Sequence, residues 1–167
     1  MTNCKPILYA EDDENDVFFM QRAFRLLSIP NPLIIASDGR QAMAYLNGTP
    51  PHENRELPCL LLLDLSMPGQ HGLDVLKWLR NEPPQVNLPV IVLTSSNQES
   101  DIHRAFLLGA NGFIIKPGDP KQLVNIVKTI QDYWLGETRP PVSFVDFAAA
   151  ANVAVLAGLY NGRKGPP

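Results

Sequence analysis

The sequence has little cysteine and no excess of positive charge, and both shortages narrow the possible functions. It contains 2 cysteines, Cys4 and Cys59, and neither has a second cysteine or a histidine at zinc-ligand spacing. We therefore expect two reduced thiols rather than a disulfide framework or a zinc site. The 14 basic and 17 acidic residues give a net charge of -3. Because nucleic-acid binding calls for a basic face, we expect no nucleic-acid partner.

Long apolar segments are scarce too. A nearly uncharged run from Val142 to Leu159 includes Asp146 and Asn152, whereas a membrane-spanning helix needs about 20 predominantly apolar residues. We therefore expect no association with a membrane. The segment Thr2–Pro6 is polar and is not a charged-then-apolar leader, so we expect a cytoplasmic location. The chain length suits one well-buried domain with a modest appendage.

What the sequence does contain is a set of short apolar segments that alternate with helical patterns. The run Leu60–Leu63 is apolar at every residue and is followed directly by Asp64, which indicates a strand buried on both faces of a parallel sheet. The other predicted strands are Ile7–Ala10, Leu33–Ala36, Val90–Leu93 and Phe113–Ile115. Because each strand precedes a helical pattern, we predict a parallel sheet covered by helices on both faces.

Local signals predict where several helices begin and end. Asp13 is expected at the start of the first helix, where a negative charge is favoured. Pro83–Pro84 is expected to close the third helix, and Ser100 is predicted to be the N-cap of the fourth. Asp119–Pro120 is expected to begin the fifth, because proline fits the first helical turn.

Four of the predicted strands end in chemically distinctive groups: Glu11–Asp12, Asp64, Thr94 and Lys116. The carboxyl ends of parallel strands share one edge of a sheet, so these groups should converge on a single crevice. Carboxylates brought together repel one another unless a cation lies among them, and Mg²⁺ prefers such oxygen ligands. Lys116 would supply a positive charge and Thr94 a hydroxyl donor to a phosphoryl group. The set predicts a carboxylate nucleophile that forms an aspartyl phosphate.

With these residues in this order, the chain resembles the receiver domain of two-component response regulators from about Lys5 to Leu135. The resemblance implies a flavodoxin-like α/β fold, a three-layer sandwich with a five-stranded parallel sheet in the order 2-1-3-4-5 and five helices. It divides the chain into a receiver domain at residues 1–137 and a C-terminal extension at residues 138–167.

The resemblance also implies roles for individual residues. Asp64 would be the phosphoacceptor, and Thr94 and Lys116 would bind the phosphoryl group. Asp12 would be the direct metal ligand. The implied Mg²⁺ ligands are Glu11, Asp12, Asp64 and the backbone carbonyl of Ser66.

Three further positions carry expectations from the family. Phe113 occupies the switch-aromatic position and would act with Thr94, although a strand aromatic can equally be a plain core residue. Lys116–Pro117 matches the family's cis peptide bond. Ser66 occupies a position where the family frequently has Asn. This difference bears on how long the phosphoryl group stays on the acceptor.

In its details the chain is similar to stand-alone receivers that serve phytochrome-type histidine kinases. The features behind this are the Glu-Asp-Asp-Glu-Asn-Asp segment after the first strand, the long loop before the Asp64 strand, and Tyr133–Trp134 followed by a proline-rich extension. The similarity implies a sensor histidine kinase as phosphodonor and a downstream protein as partner. It implies no enzyme activity beyond the regulator's own phosphorylation and dephosphorylation.

The extension predicts a role in assembly. It begins with Arg139–Pro140–Pro141 and continues into the nearly uncharged run from Val142 to Leu159. Large apolar patches are rare on soluble monomers, and a receiver already covers both faces of its sheet. We therefore expect a homodimer that exchanges C-terminal arms, with packing of the arm on its own domain as the alternative.

Two other classes of protein use comparable groups. A dehalogenase-like phosphatase also combines a strand-end Asp with magnesium, but it needs a second Asp two residues on, where this chain has Ser66. A flavin-binding, flavodoxin-like protein would need a Ser-, Thr- and Gly-rich phosphate loop after the first strand. This chain has the acidic run Glu11–Glu14 at that place.

Overall fold

The computed structural model describes residues 4–82 and 87–135, in which strands and helices alternate. The sheet is parallel throughout, with strand order β2-β1-β3-β4-β5, so the predicted fold and topology are confirmed. In chain order the elements are β1 (Ile7–Ala10), α1 (Glu14–Leu26), β2 (Leu33–Ala36), α2 (Gly39–Asn47), β3 (Leu60–Leu63), α3 (Gly72–Leu79), β4 (Val90–Thr94), α4 (Glu99–Leu107), β5 (Gly112–Ile115) and α5 (Pro120–Ile130).

The central strand β3 is buried at every residue because it contributes to two cores at once. Leu61 and Leu63 belong to the core on the face covered by α2, α3 and α4. Leu60 and Leu62 belong to the core on the opposite face, under α1 and α5. Burial of each such side chain contributes about 1.5–3 kcal/mol, so a continuous apolar strand stabilises both layers.

Two of the predicted helix starts are confirmed by capping hydrogen bonds. The Asp13 carboxylate accepts from the backbone N–H groups of Asn15 at 2.8 Å and Asp16 at 3.1 Å, and α1 begins at the next residue, Glu14. The Asp119 carboxylate accepts from the N–H of Lys121 at 2.9 Å, and Pro120 opens α5. These bonds satisfy amide groups that have no partner within the helix.

The predicted N-cap of α4 is wrong. The helix begins at Glu99, Gln98 occupies the N-cap position without a side-chain bond, and Ser100 lies inside the first turn. The hydroxyl that serves this end of the helix belongs to Ser96, which accepts from the Gln98 N–H at 3.4 Å and donates to the Asp101 carboxylate at 2.7 Å. Ser96 accepts the hydrogen bond of the Gln98 N–H, and the helix begins at the next residue, Glu99, before the chain reaches Ser100.

Other expectations concern segments beyond these elements. The predicted helix stop at Pro83–Pro84 lies outside the described residues, as does the extension 138–167.

Helix α5 continues into a π-helical turn, Gln131–Leu135, which carries Tyr133 and Trp134. Each helix in residues 4–82 and 87–135 is too short or too polar to cross a bilayer.

The turn between β3 and α3 requires a glycine. The N–H of Gly72 donates to the carbonyl of Leu65 at 2.9 Å, which folds the chain back onto the end of the strand. A Cβ at this position would lie 2.2 Å from the carbonyl oxygen of Asp64 and 2.7 Å from the Cα of Leu65. Since both contacts are with backbone, any larger residue would displace the segment that carries Asp64.

Candidate functional site

The polar groups predicted to converge lie at the carboxyl-terminal edge of the sheet. Glu11 and Asp64 directly follow the adjacent strands β1 and β3, and the Asp64 N–H donates to the Ala10 carbonyl at 3.0 Å. Both acids are buried, with exposures of 1% and 4%, whereas Asp12 is exposed. Lys116 follows β5, and its side chain reaches back across the edge to these acids.

The acids form a compact oxygen cluster. Glu11, Asp12 and Asp64 each offer a carboxylate oxygen, and these oxygens lie within 4.8 Å of one another. An all-oxygen donor set with an exposed member, Asp12, fits a hard divalent cation that keeps several of its waters. The residues present therefore fit the magnesium site that the sequence predicted. The N–H of Ser66 donates to Asp64 Oδ1 at 3.2 Å, and the role of its carbonyl stays a prediction.

Lys116 bridges three carboxylates. Its Nζ hydrogen-bonds to Glu11 Oε2, to Asp16 Oδ2 at 2.8 Å and to Asp64 Oδ2 at 3.2 Å. Burial alone would lower the pKa of Lys116, but the hydrogen bonds that its ammonium donates to Asp16 and Glu11 outweigh burial and raise the pKa above its usual value. The side chain is thus a fixed positive charge next to Asp64.

Glu11 is held on both carboxylate oxygens. Oε2 accepts from the Tyr9 hydroxyl at 3.1 Å as well as from Lys116, and Oε1 accepts from the Asp13 N–H at 3.1 Å. Burial nevertheless raises the pKa of Glu11 to about 7, because desolvation outweighs these hydrogen bonds. Its charge therefore changes near neutral pH when no cation is bound.

Sequence reasoning missed two members of this network, Tyr9 and Asp16. Tyr9 precedes Glu11 by two residues, a spacing that puts both side chains on one face of an extended chain. Burial raises the pKa of Tyr9 and the neighbouring Glu11 raises it further, so the phenol stays a proton donor. Asp16 lies three residues beyond Asp13, in the first turn of α1. Neither spacing by itself reveals a contact with the site.

Thr94 ends β4 and is completely buried. Its Oγ1 accepts from the N–H of Ser96 at 3.3 Å, and Ser96 in turn bonds Asp101 at the start of α4. The loop that follows Thr94 is thereby joined to the first turn of that helix. The function of Thr94 in binding a phosphoryl group stays a prediction.

Phe113 lies in β5 and is only 5% exposed. It belongs to the same core as Ile102 and Ala105, the buried residues of α4. This placement is what a plain core aromatic requires, and it also puts the ring in the core that α4 shares. The switch role of Phe113 stays a prediction.

The expected cis bond at Lys116–Pro117 is wrong for this structure. Lys116–Pro117 is trans, and the cis bond found in the described part of the chain is Pro50–Pro51. The trans form of an X-Pro bond is favoured by about 0.5–1 kcal/mol. In this isomer the ammonium of Lys116 contacts Glu11, Asp16 and Asp64.

The arrangement of a strand-end Asp, an acidic cluster and a bridging Lys agrees with a comparison against known families. Residues 7–128 match the family described as the response regulator receiver domain. The chain belongs to this family. The match favours a receiver over the phosphatase and flavin-binding alternatives.

The receiver is similar to proteins of known structure over most of its length. It is 34% identical over 139 residues to response regulator Rcp1 of Synechocystis sp. (strain ATCC 27184 / PCC 6803 / Kazusa), covering 83% of this chain and 95% of Rcp1. The crystal structure of the phosphorylated cyanobacterial phytochrome response regulator RcpA superimposes with a TM-score of 0.77 at 35% identity, covering 83% of this chain and 99% of RcpA. The Mn²⁺-bound form of Rcp1 gives a TM-score of 0.75 at 35% identity, with the same coverage.

Proposed function

We propose that this protein is a single-domain response regulator that accepts a phosphoryl group on Asp64 from a sensor histidine kinase of the phytochrome type. Phosphoryl acceptance is general in the receiver family to which the chain belongs, and RcpA, at 35% identity, is a cyanobacterial phytochrome response regulator. The observation that carries the proposal is the pairing of Lys116 with Asp64, at 3.2 Å, inside the acidic cluster.

In the proposed reaction a carboxylate oxygen of Asp64 attacks the phosphorus of a phosphohistidine. A P–O bond forms, the P–N bond breaks, and its electron pair returns to the imidazole nitrogen. Lys116 presents its positive charge to the phosphoryl oxygens, and the Thr94 hydroxyl donates a hydrogen bond to them.

The acidic cluster has a separate role in this proposal. Glu11, Asp12, Asp64 and the backbone carbonyl of Ser66 would hold Mg²⁺, which when bound supplies positive charge for the transferring phosphoryl group. One solved relative, Rcp1, binds Mn²⁺, and three carboxylate oxygens lie close together here. Asp12, the exposed member, would be the point of entry.

The proposed output is a protein–protein contact. Thr94 would move toward the phosphoryl group and Phe113 would repack, altering the face made by α4, β5 and α5. Residues 138–167 would form a dimerisation arm, and a downstream protein would read the altered face. The regulator would act in the cytoplasm, without nucleic acid or membrane, and would catalyse only its own phosphorylation and dephosphorylation.

Labelling with a small phosphodonor tests the reaction without the kinase. Full-length protein is incubated with acetyl phosphate and Mg²⁺, and its intact mass is measured. We expect one added phosphoryl group on wild-type protein, none on Asp64→Asn and none in excess EDTA. Asp132→Asn, which removes an exposed acid paired with Lys128, is the matched control and should label like wild type. Labelling of Asp64→Asn would contradict the assignment.

A further inference from the structure

Among the described partners of Lys116, Asp16 is the one that lies outside the acidic cluster. The described cluster consists of Glu11, Asp12 and Asp64, whereas Lys116 pairs with Glu11, Asp16 and Asp64. The ammonium therefore shares two carboxylates with the candidate cation site. A divalent cation and a buried ammonium would compete for the carboxylates of Glu11 and Asp64.

The position of Asp16 is fixed by the start of α1. Its N–H donates to the Asp13 cap at 3.1 Å, so its backbone is held in the first helical turn. Its side chain is 39% exposed, against 12% for that of Lys116, and the 2.8 Å bond between them is shorter than the 3.2 Å bond to Asp64. Asp16 is thus the more exposed partner of an ammonium that also bonds the buried acids Glu11 and Asp64.

The surroundings limit where else the ammonium could go. Asp16 and Lys116 lie on the wall of a cavity of about 220 Å³ between α1 and the start of α5. Apolar side chains, among them Phe19, Leu93 and Leu123, form much of that wall. Since a charged group retreats into an apolar cavity only at high cost, loss of Asp16 would leave Glu11 and Asp64 as the remaining described partners of Lys116.

We propose that Asp16 is a positioning residue that shares the Lys116 ammonium with Glu11 and Asp64, so that Lys116 keeps a partner when a divalent cation takes those two carboxylates. This role rests on the metal site of the proposed function and adds to it a residue that does not itself bind the metal. It predicts that Asp16 supports cation binding through Lys116 and not merely through its own negative charge.

Direct measurement of cation binding tests the role. Free Mn²⁺ is followed by electron paramagnetic resonance during titration of full-length, unphosphorylated protein. We expect Asp16→Asn to weaken Mn²⁺ binding about fivefold, the upper range for a partly exposed ion pair. Asp13→Asn removes the same charge from the same helix end and keeps a good N-cap. Because Asp13 makes no described ion pair with Lys116, we expect this control to change binding less than about twofold.

The same pair of variants in a Lys116→Met background separates positioning from charge. Without the ammonium, Asp16→Asn should weaken Mn²⁺ binding no more than Asp13→Asn does. A fivefold loss that persists in the Lys116→Met background, or no difference between the two variants in the wild-type background, overturns the role of Asp16. Wild-type protein that binds no Mn²⁺ would instead overturn the metal site, and this role with it.

Discussion

At the scale of single residues, the neighbouring acids Glu11, Asp12 and Asp13 differ in role because the carboxylate of each has different contacts. The Asp13 carboxylate caps α1, and both oxygens of Glu11 are occupied by hydrogen bonds. Asp12 lies between them, exposed, with an oxygen in the cluster with Glu11 and Asp64. Three consecutive acids thus combine a buried site residue, an exposed candidate metal ligand and a helix cap.

Alanine substitutions separate the last two of these roles. Asp12→Ala should weaken Mg²⁺ binding at least about tenfold, since it removes a proposed metal ligand, and should leave the stability of the metal-free protein nearly unchanged. Asp13→Ala should leave Mg²⁺ binding nearly unchanged but lower the free energy of unfolding by about 1 kcal/mol, because a helix cap is lost. Calorimetric titration with Mg²⁺ and urea unfolding in EDTA measure the two quantities. Equal losses of Mg²⁺ affinity in the two variants would mean that the metal ligand among these acids has been assigned one residue away from its true position.

The raised pKa of Glu11 predicts a pH dependence of stability in the metal-free protein. The pKa is about 7 in the folded state against 4.5 for an ordinary Glu, so folding favours the protonated acid. The contribution of protonated Glu11 to the free energy of unfolding is therefore fully present below pH 4.5 and is lost as the pH rises through about 7.

Urea unfolding in EDTA at about pH 5 and about pH 8 measures this effect. Wild-type protein should be less stable at the higher pH, and Glu11→Gln should reduce that difference. Glu53→Gln, in an exposed loop, serves as the control and should retain the wild-type difference. An unchanged pH dependence in Glu11→Gln would show that another group is responsible.

At the scale of elements, the close turn from β3 into α3 fixes the backbone around Asp64. Gly72→Ala would force a Cβ to within 2.2 Å of the Asp64 carbonyl oxygen, and we expect a loss of about 2–3 kcal/mol in the free energy of unfolding. Gly118→Ala is the matched control, because a Cβ there meets nothing within 4 Å, and it should change stability by less than about 1 kcal/mol. Urea unfolding distinguishes them, and equal losses would refute the close-approach argument.

The sequence correctly predicted the elements whose positions follow from the periodicity of apolar residues and from the order of strands and helices along the chain. Continuous apolar strands and intervening helical patterns predicted the parallel sheet, and that sheet brought Glu11, Asp64 and Lys116 to one edge. The contact between Lys116 and Asp16 depends on how α1 is rotated over the sheet, which spacing does not define. The start of α4 was missed because the helix begins at Glu99, ahead of Ser100, and the hydroxyl that bonds this end of the helix is that of Ser96 in the preceding loop.

At the scale of the whole molecule, the proposed dimerisation arm makes a prediction about assembly. The run from Val142 to Leu159 is nearly uncharged, and apolar segments of this kind are rarely left exposed. We expect sedimentation to show a dimer for the full-length chain and a monomer for a chain ending at Glu137, both at micromolar concentration. If both are monomers, the arm packs on its own domain and arm exchange is wrong.

The central claim, that Asp64 receives the phosphoryl group, is tested most directly by locating the acyl phosphate. Protein phosphorylated with acetyl phosphate and Mg²⁺ is reduced with borohydride, which converts an aspartyl phosphate to homoserine, and the digested peptides are sequenced by mass spectrometry. The account predicts homoserine at position 64 and unmodified aspartate at Asp12, Asp13 and Asp16. Homoserine at any of those three positions, or no homoserine in protein that carries the added phosphoryl mass, would contradict it.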